Sequence, residues 1–385
     1  LMRLTKLFTD FFNSEKAGGF ILIGCTIISL LLANSTAGEA YVGFWHTKLG
    51  NYSLEYWINV GLMVIFFLLI GLELEREIYK GELSNLKTAL LPVIGAAGGM
   101  LVPAGIYLLF NYGTAGQAGA GIPMATDIAF AIGMLSLLGN RVPAGLKIFL
   151  TALAVIDDLG AILVIAFFYS KGVVLLNLGI AMGIFAGLLV LNRLKVHKLW
   201  AYLIPGVAMW YFMLHSGVHP TITGVLLAFA IPFGSGGEKT ISYKLQHFLH
   251  RPVSFFILPI FALANTGIII EAGWADELFS SSSMGIFFGL VAGKPLGILL
   301  FCALAVTVGW CALPEGVNWK QIGAVGLLAG IGFTMAIFIT LLAFGDAPHF
   351  ITNAKIAILI ASTVAAVLGL FVLSLCFRKN ESIKI

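Results

Sequence analysis

Residues 150–168 read LTALAVIDDLGAILVIAFF, with two adjacent aspartates, Asp157 and Asp158, near the middle of an otherwise apolar run. A run of this length can cross the hydrocarbon core of a bilayer as a helix. A charged side chain at that depth costs about 2.5–3.5 kcal/mol on insertion scales, and such residues usually serve a function. The stretch therefore predicts a membrane helix whose carboxylates need a cavity, a partner or an ion.

The rest of the chain has the same apolar character. Hydrophobic residues make up 59% of the 385 positions, charged residues make up 10%, and the mean hydropathy is +1.01. A soluble domain carries about 25% charged residues, so this chain cannot cover itself with a water-compatible surface. Its apolar residues come in long blocks, which favours spanning helices over an outer-membrane barrel.

Several classes of site and partner are not expected from this composition. The four cysteines are scattered and form no CxxC, so we expect no disulfide framework and no thiolate metal site. The net charge of +4 originates in the membrane loops, so we expect lipid and not nucleic acid as a partner. We expect no cofactor and no enzymatic activity.

Apolar runs of about 18 residues or more predict the spanning helices. Nine are clear, and we expect the first to be a retained helix and not a cleaved signal: 17–34, 55–78, 87–110, 143–169, 173–192, 198–215, 253–272, 284–308 and 354–377. Three weaker runs complete a predicted count of twelve: 121–138, 218–232 and 321–344. The predicted fold class is an all-α polytopic membrane protein.

Loop charges predict the orientation. With the N-terminus inside, Lys48, Lys171 and Lys355 fall on the outer side and Lys294 falls within a span. All the remaining lysines and arginines then lie on the inside, as the positive-inside rule requires. We therefore expect a multi-pass protein of the bacterial inner membrane with both termini in the cytoplasm.

Four ionisable residues lie inside apolar runs, namely Asp127, Asp157, Asp158 and Lys294. A structural salt bridge of Lys294 with one aspartate would leave net negative charge unexplained. Neighbouring residues on a helix point about 100° apart, so Asp157 and Asp158 do not face each other. Carboxylate oxygens suit Na⁺, and we expect H⁺ and Na⁺ to compete at Asp158 and Asp157, which is sufficient for exchange.

Two of the weak spans are interrupted by helix-breaking residues. The segment GIPMATDIAF carries Pro123 and Asp127, and GLLAGIGFTMAIF carries Gly330 and Gly332. Broken segments at corresponding positions of two halves are typical of a transporter site, although simple kinks explain each one equally well. If both unwind, Asp127 would offset the facing helix N-termini and Lys294 the facing C-termini.

A row of glycines accompanies Lys294 in the run SMGIFFGLVAGKPLGILL. Gly285, Gly289, Gly293 and Gly297 recur every four residues and form one smooth helix face. Ordinary close packing of a neighbouring helix is the simplest explanation.

The strings FFLLIGLELEREI, ATDIAFAIG, RVPAGLKIFLTALAVIDDLGAI, SGVHPTITGV, LPIFALANTG, GKPLGI and GIGFTMAIFI occur in this order along the chain. Together they resemble the NhaA-type Na⁺/H⁺ antiporters. The resemblance implies electrogenic exchange of external H⁺ for internal Na⁺ or Li⁺, with more protons than sodium ions moved per cycle. Inverted repeats are a known property of this family, so the repeat interpretation is not independent of the resemblance.

The resemblance also implies roles for particular residues and regions. Asp158 matches the principal cation ligand, Asp157 its neighbour, and Lys294 the partner of Asp157. Thr126 and Asp127 match residues of the broken helix that line the site. The implied core consists of two inverted repeats, 87–169 and 284–377. Residues 17–78 and 173–272 would form a panel that makes a homodimer, although the loop 35–54 is shorter than the family's dimer-forming hairpin.

The resemblance also implies a pH-sensing region that includes Glu73, Glu77 and His219. We add His247 and His250 to this set because histidine can titrate near neutral pH. Glu73 and Glu77 have an alternative interpretation as a solvated helix end. The chain departs from the family at Gln246, Val60 and Glu75, where some members have a glutamate, an aspartate and a lysine, respectively. These departures predict either a shifted pH profile or weaker regulation by pH.

Other functions were weighed against antiport. The histidine pairs His215 with His219 and His247 with His250 have helical spacing for a metal, but no cysteine or acid completes either set. An intramembrane aspartyl protease needs aspartates from two helices, usually with a GxGD-like segment, which this sequence lacks. A sodium-coupled symporter would need a larger polar cavity. A passive channel is disfavoured because competing carboxylates hold ions too firmly.

Overall fold

A computed structural model describes residues 6–170, 172–270, 273–345 and 347–381. The described residues are mainly helical, and they include a small hairpin in which strand β1 (Lys48–Leu49) pairs antiparallel with β2 (Tyr52–Ser53). The helices of the first half are α1 (Lys6–Ala33), α2 (Leu54–Tyr79), α3 (Leu86–Asn111), a 3-10 helix (Ala115–Met124), α4 (Ile128–Ser136) and α5 (Ala144–Phe168). Shorter helical pieces are Gly38–Trp45, Glu82–Ser84 and Gly139–Arg141.

The second half is built in the same way. Its helices are α6 (Leu175–Arg193), α7 (Trp200–Leu214), α8 (Ile222–Ala230), α9 (Ile241–Asn265), α10 (Ser281–Thr307), α11 (Trp319–Ala329), α12 (Phe333–Ala343) and α13 (Pro348–Glu381). A single turn also forms at Trp274–Glu277.

Within the described ranges, eight helices are long and apolar enough to cross a membrane: α1, α2, α3, α5, α6, α9, α10 and α13. Two further spans are bent at a break. The first bent pair is the 3-10 helix with α4, at 43°, and the second bent pair is α11 with α12, at 48°. These are the segments whose proline and glycines predicted interruption, and the all-helical membrane fold is confirmed with up to ten spans.

The remaining two of the twelve predicted spans are shorter than a membrane is thick. The run 198–215 forms α7, with 15 residues, and the run 218–232 forms α8, with nine. The count of twelve therefore stays a prediction. The predicted run 253–272 also differs, because its helix already begins at Ile241, where Thr240 caps the N-terminus, and ends at Asn265. Its first turns, ISYKLQHFLHRP, are too polar for a hydropathy window to detect.

The two halves repeat one order of elements. Helix α3, the first bent pair and α5 follow one another in the region 86–168, and α10, the second bent pair and α13 do so in the region 281–381. Helix α5 is mostly buried, whereas α6 buries only 11% of its most apolar window. Helix α5 thus belongs to the interior, and α6 lies at the periphery.

Helices α3 and α10 pack at backbone distance through glycine. A Cβ at Gly297 would lie 2.1 Å from the carbonyl oxygen of Gly98, and a Cβ at Gly98 would lie 2.3 Å from that of Gly297. A Cβ at Gly293 would lie 3.0 Å from the Cα of Pro103 of α3, and one at Gly289 would lie 2.7 Å from the side chain of Pro123 of the 3-10 helix. The predicted role of the glycine row in close packing is confirmed, and this packing fixes the position of Lys294 on α10.

Candidate functional site

The two bent pairs meet at their breaks, where the backbone N–H of Asp127 donates to the carbonyl of Ile331 at 2.7 Å. We call this meeting point the crossing. The Asp127 carboxylate accepts from Phe130 N at 2.9 Å, at the start of α4, and from Thr334 N at 3.0 Å, at the start of α12. The Thr334 hydroxyl donates to the same carboxylate. One buried acid therefore offsets the positive ends of two helices, which is the position expected of Asp127.

Lys294 and Asp157 form a buried ion pair beside the crossing. Lys294 Nζ lies 2.8 Å from Asp157 Oδ2, and both side chains are fully buried. The ammonium also donates to the carbonyl of Met124, the last residue of the 3-10 helix. A cation is favoured at a helix C-terminus, so Lys294 lies at a half-helix C-terminus as expected.

Thr126 links this ion pair to the second bent pair. Its Oγ1 lies 2.7 Å from Asp157 Oδ2 and 2.9 Å from the carbonyl of Ala329, the last residue of α11. A hydroxyl has one proton, so it can donate to only one of these acceptors at a time. Thr126 therefore joins Asp157 to the end of α11 through a single hydroxyl.

Asp158 differs sharply from Asp157. It is fully buried, and within the described residues neither of its oxygens has a hydrogen-bond partner; Asp157 Oδ1 has none either. The charges that act on it are those of Asp157, Asp127, Glu73 and Lys294. Three carboxylates of the site thus share one lysine. An ionised Asp158 here is unstable without a cation, so it must bind a proton or a positive ion.

The crossing therefore brings together all five residues that the sequence assigned to ion binding and proton exchange, namely Asp127, Asp157, Asp158, Thr126 and Lys294. Oxygen ligands of this kind suit hard cations. In the described ranges, no group of three histidine, cysteine or acidic side chains is arranged to hold a metal ion.

Two further site residues, Thr334 and Ser362, were not predicted. Thr334 binds Asp127 as described, and Ser362 of α13 accepts from Phe333 N at 3.2 Å. Thr334 follows Gly332 at the start of α12, so a polar residue directly after the glycine break was the available signal. Nothing in the local sequence distinguishes Ser362.

The proposed pH-sensing residues do not form one cluster. His250 Nε2 of α9 lies 3.0 Å from Glu73 Oε1 of α2, although the two atoms are not aligned as a hydrogen bond. Glu73 is only 6% exposed, so its interpretation as part of a solvated helix end is wrong, whereas Glu77 is partly exposed. Next to this pair, Arg76 donates to Gln246 at 3.4 Å.

The other two histidines of that set lie elsewhere. His219 Nδ1 is 2.7 Å from Thr221 Oγ1, and its ring packs edge-on against Phe338 of α12. His247 is exposed, and its ring stacks at 6.2 Å on that of Tyr243. His250 is thus the histidine of the predicted set that lies beside Glu73.

A cavity of about 990 Å³ opens beside the helix ends that the charge bias places outside. Two histidine–glutamate pairs line it, His46 with Glu55 and His349 with Glu277, each at 3.4 Å. Leu341 of α12 lines the cavity about two helical turns from Thr334, which amounts to about 10 Å along the helix. The cavity is thus separated from the crossing by a short stretch of α12.

Comparison with known proteins gives one consistent result. The Na⁺/H⁺ antiporter 1 family profile matches residues 9–373. The chain is 64% identical to a Na⁺/H⁺ antiporter NhaA of Flavobacterium psychrophilum, with 98% of each chain covered. It is 60% identical to a protein of the same name from Cytophaga hutchinsonii and 57% identical to one from Dechloromonas aromatica, each over 99% of this chain and 98% of the relative.

Proposed function

This chain belongs to the Na⁺/H⁺ antiporter 1 family, a family of bacterial multi-pass membrane proteins, and from that premise we propose how it exchanges Na⁺ or Li⁺ for H⁺. The membrane is the bacterial inner membrane, with both termini in the cytoplasm. External protons move inward and internal Na⁺ or Li⁺ moves outward. No cofactor takes part.

The observation that carries this proposal is the fully buried carboxylate of Asp158 near the middle of α5, which has no hydrogen-bond partner among the described residues. With a proton it is neutral, and without one it needs a cation. H⁺ and Na⁺ therefore exclude one another from the same oxygens, and whichever is bound on one side is carried to the other. Asp157 Oδ1, also unpartnered, supplies a further oxygen ligand for Na⁺.

The ion pair of Asp157 with Lys294 supplies the additional proton. When Asp157 takes up a proton, it loses its attraction to the Lys294 ammonium at 2.8 Å, and the Thr126 hydroxyl can turn to Ala329. When Na⁺ binds, Asp157 becomes an anion again and that proton leaves. More protons than sodium ions then move per cycle, so the exchange is electrogenic and is driven by the membrane potential.

We infer alternating access, and the meeting of the two bent pairs at the crossing supports it. We assign the regions 87–169 and 284–377 to two inverted repeats that form the moving core. The regions 17–78 and 173–272 form the panel against which the core moves, and the panel joins two copies into a homodimer. The 990 Å³ cavity is the outer vestibule in this scheme.

Regulation by pH is assigned to the contact between α2 and α9. Glu73 acts on Asp158 electrostatically and lies beside His250. A change in the charge of His250 near neutral pH would therefore reach the ion site through one intervening carboxylate.

The test is sodium-evoked proton movement in everted membrane vesicles that lack organic solutes. Wild-type protein should collapse an acid-inside gradient when Na⁺ or Li⁺ is added, and Asp158→Asn should not. Glu315→Gln, which removes an exposed acid between α10 and α11, is the matched control and should behave like wild type. Normal exchange by Asp158→Asn would refute the proposed site, and a strict requirement for an organic solute would indicate symport.

A further inference from the structure

Thr151 of α5 carries a buried hydroxyl without a partner. Its side chain is 6% exposed, and no hydrogen bond to Oγ1 is found anywhere in the described parts of the chain. Threonines in membrane helices normally donate to the carbonyl four residues earlier, and Thr26, Thr340 and Thr363 do so here at 2.8 Å. The Thr151 hydroxyl thus does not make the hydrogen bond to the carbonyl four residues earlier in its own helix.

Helical geometry places this hydroxyl on the face of α5 that carries Asp158. Seven residues correspond to nearly two turns, so Thr151 and Asp158 differ by only about 20° around the helix and by about 10 Å along it. Phe149 and Leu153 point the other way, towards Gly95 of α3. Thr151 lies nearer the Arg141 end of α5, which the charge bias assigns to the cytoplasm.

A thin apolar layer separates the two oxygen-bearing residues. Ala154 and Val155 lie between them on α5 and pack in one small cluster with Leu74 of α2 and with Ile128 and Ile132 of α4. A dehydrating cation finds no ligand in such a layer. Any oxygen on its cytoplasmic side would therefore lower the barrier to reaching Asp158 from the cytoplasm.

We propose that Thr151 is a cation-positioning residue of the cytoplasmic pathway, where its hydroxyl replaces one water ligand of Na⁺ or Li⁺ before the ion crosses the apolar layer to Asp158. The inference rests on the proposed antiport function and adds to it an intermediate binding position. Because Thr151 is about 10 Å from Asp158, the two residues bind the ion in succession and not together.

The test compares Thr151→Val, Thr151→Ser and Thr26→Val in purified protein reconstituted in oriented liposomes. Valine keeps the volume of threonine but removes the hydroxyl. We expect Thr151→Val to raise the KM for Na⁺ presented at the cytoplasmic face about tenfold, as loss of one ligand to a charged group implies. The maximal rate and the KM at the outer face should stay as in wild type.

The other variants separate a binding role from a structural one. Thr151→Ser restores the hydroxyl and should return the cytoplasmic KM to the wild-type value. Thr26→Val removes a hydroxyl of similar burial that is bonded within its own helix, and should change neither KM.

Three outcomes would overturn the inference: an unchanged cytoplasmic KM in Thr151→Val, an equal rise at both faces, or failure of serine to restore it. Absence of sodium-evoked exchange in the wild-type protein would instead refute the proposed function itself. The two failures are therefore distinguishable.

Discussion

Two adjacent aspartates on one helix have opposite surroundings. Asp157 has an ammonium at 2.8 Å and a hydroxyl at 2.7 Å on the same oxygen, whereas Asp158, one position further along, has no hydrogen-bond donor among the described residues. Because neighbours on a helix diverge by about 100°, a single turn of α5 can present one acid to a fixed partner and the other to a mobile ion.

The Lys294–Asp157 pair leads to a prediction about stability. Lys294→Ala leaves a buried carboxylate unpaired, which typically costs about 3–5 kcal/mol, whereas Lys294→Ala combined with Asp157→Asn removes both charges and should be less destabilising than the single change. Thermal unfolding of detergent-purified variants, followed by tryptophan fluorescence, measures this order. A double variant that unfolds below the single one would show that the two residues do not act as a pair.

For single residues, the sequence identifies the charged members of the site better than the hydroxyl-bearing ones. Asp127, Asp157, Asp158 and Lys294 are conspicuous because ionised side chains are rare in apolar runs. Threonine and serine are common in membrane helices. Apart from its place just after the glycine break, nothing in the sequence separates Thr334, which donates to Asp127 at the crossing, from Thr363, which bonds to its own helix. That distinction depends on where the neighbouring helices lie.

Among the elements, the bent pairs depend on one another through Asp127. Asp127→Ala removes the caps of both α4 and α12, each worth about 1 kcal/mol, whereas Asp127→Asn can still accept one of the two hydrogen bonds. We expect the melting temperature to fall in the order wild type, Asn, Ala. Ser280→Ala, which removes the cap of α10 alone, is the control for a single lost cap. Equal loss in Ser280→Ala and Asp127→Ala would contradict a double capping role.

The contact between α2 and α9 gives a second prediction at this scale. In His250→Gln the group beside Glu73 can no longer gain a charge, so exchange should depend less on pH between about pH 6 and 8. Exchange rates measured across that range in everted vesicles test it, with His197→Gln as a control at an exposed loop histidine. An unaltered pH profile in His250→Gln would exclude this contact from regulation.

Hydropathy predicts most elements but not all of their ends. The interruptions at Pro123 and at Gly330 with Gly332 correspond to real breaks. Hydropathy did not detect the start of α9 because the first turns of this helix are amphipathic, with Lys244 and His247 exposed and Leu245 and Leu249 buried. A window average removes this alternation, and only the helical period of the buried positions reveals it.

For the whole molecule, the charge bias predicts an orientation that reporter fusions can test. Alkaline phosphatase is active only outside the cytoplasm, so a fusion after Asn51, in the β1–β2 hairpin, should be active. Fusions after Asn140 and Glu238 should be inactive, because both positions lie in loops assigned to the cytoplasm. The reverse pattern of activity would show that the protein has the opposite orientation in the membrane, which would place Thr151 on the outer pathway.

The fold class and the grouping of the site residues were predictable because they depend on apolar length and buried charge. The number of spans and the different contacts made by the histidines of the pH-sensing set could not be predicted. His219 and His250 look alike in sequence, yet one packs against Phe338 and the other lies beside Glu73. Which acid a histidine meets is decided by the packing of whole helices.

The glycine contact between α3 and α10 has a consequence for how this protein can diverge. Gly98 and Gly297 leave each other no room even for a methyl group. Neither position can acquire a side chain while the other stays as it is. Changing both would force the two helix backbones apart and move Lys294 away from Asp157. In a saturation library selected for growth in high salt, we therefore expect both codons to remain glycine, although neither residue touches an ion.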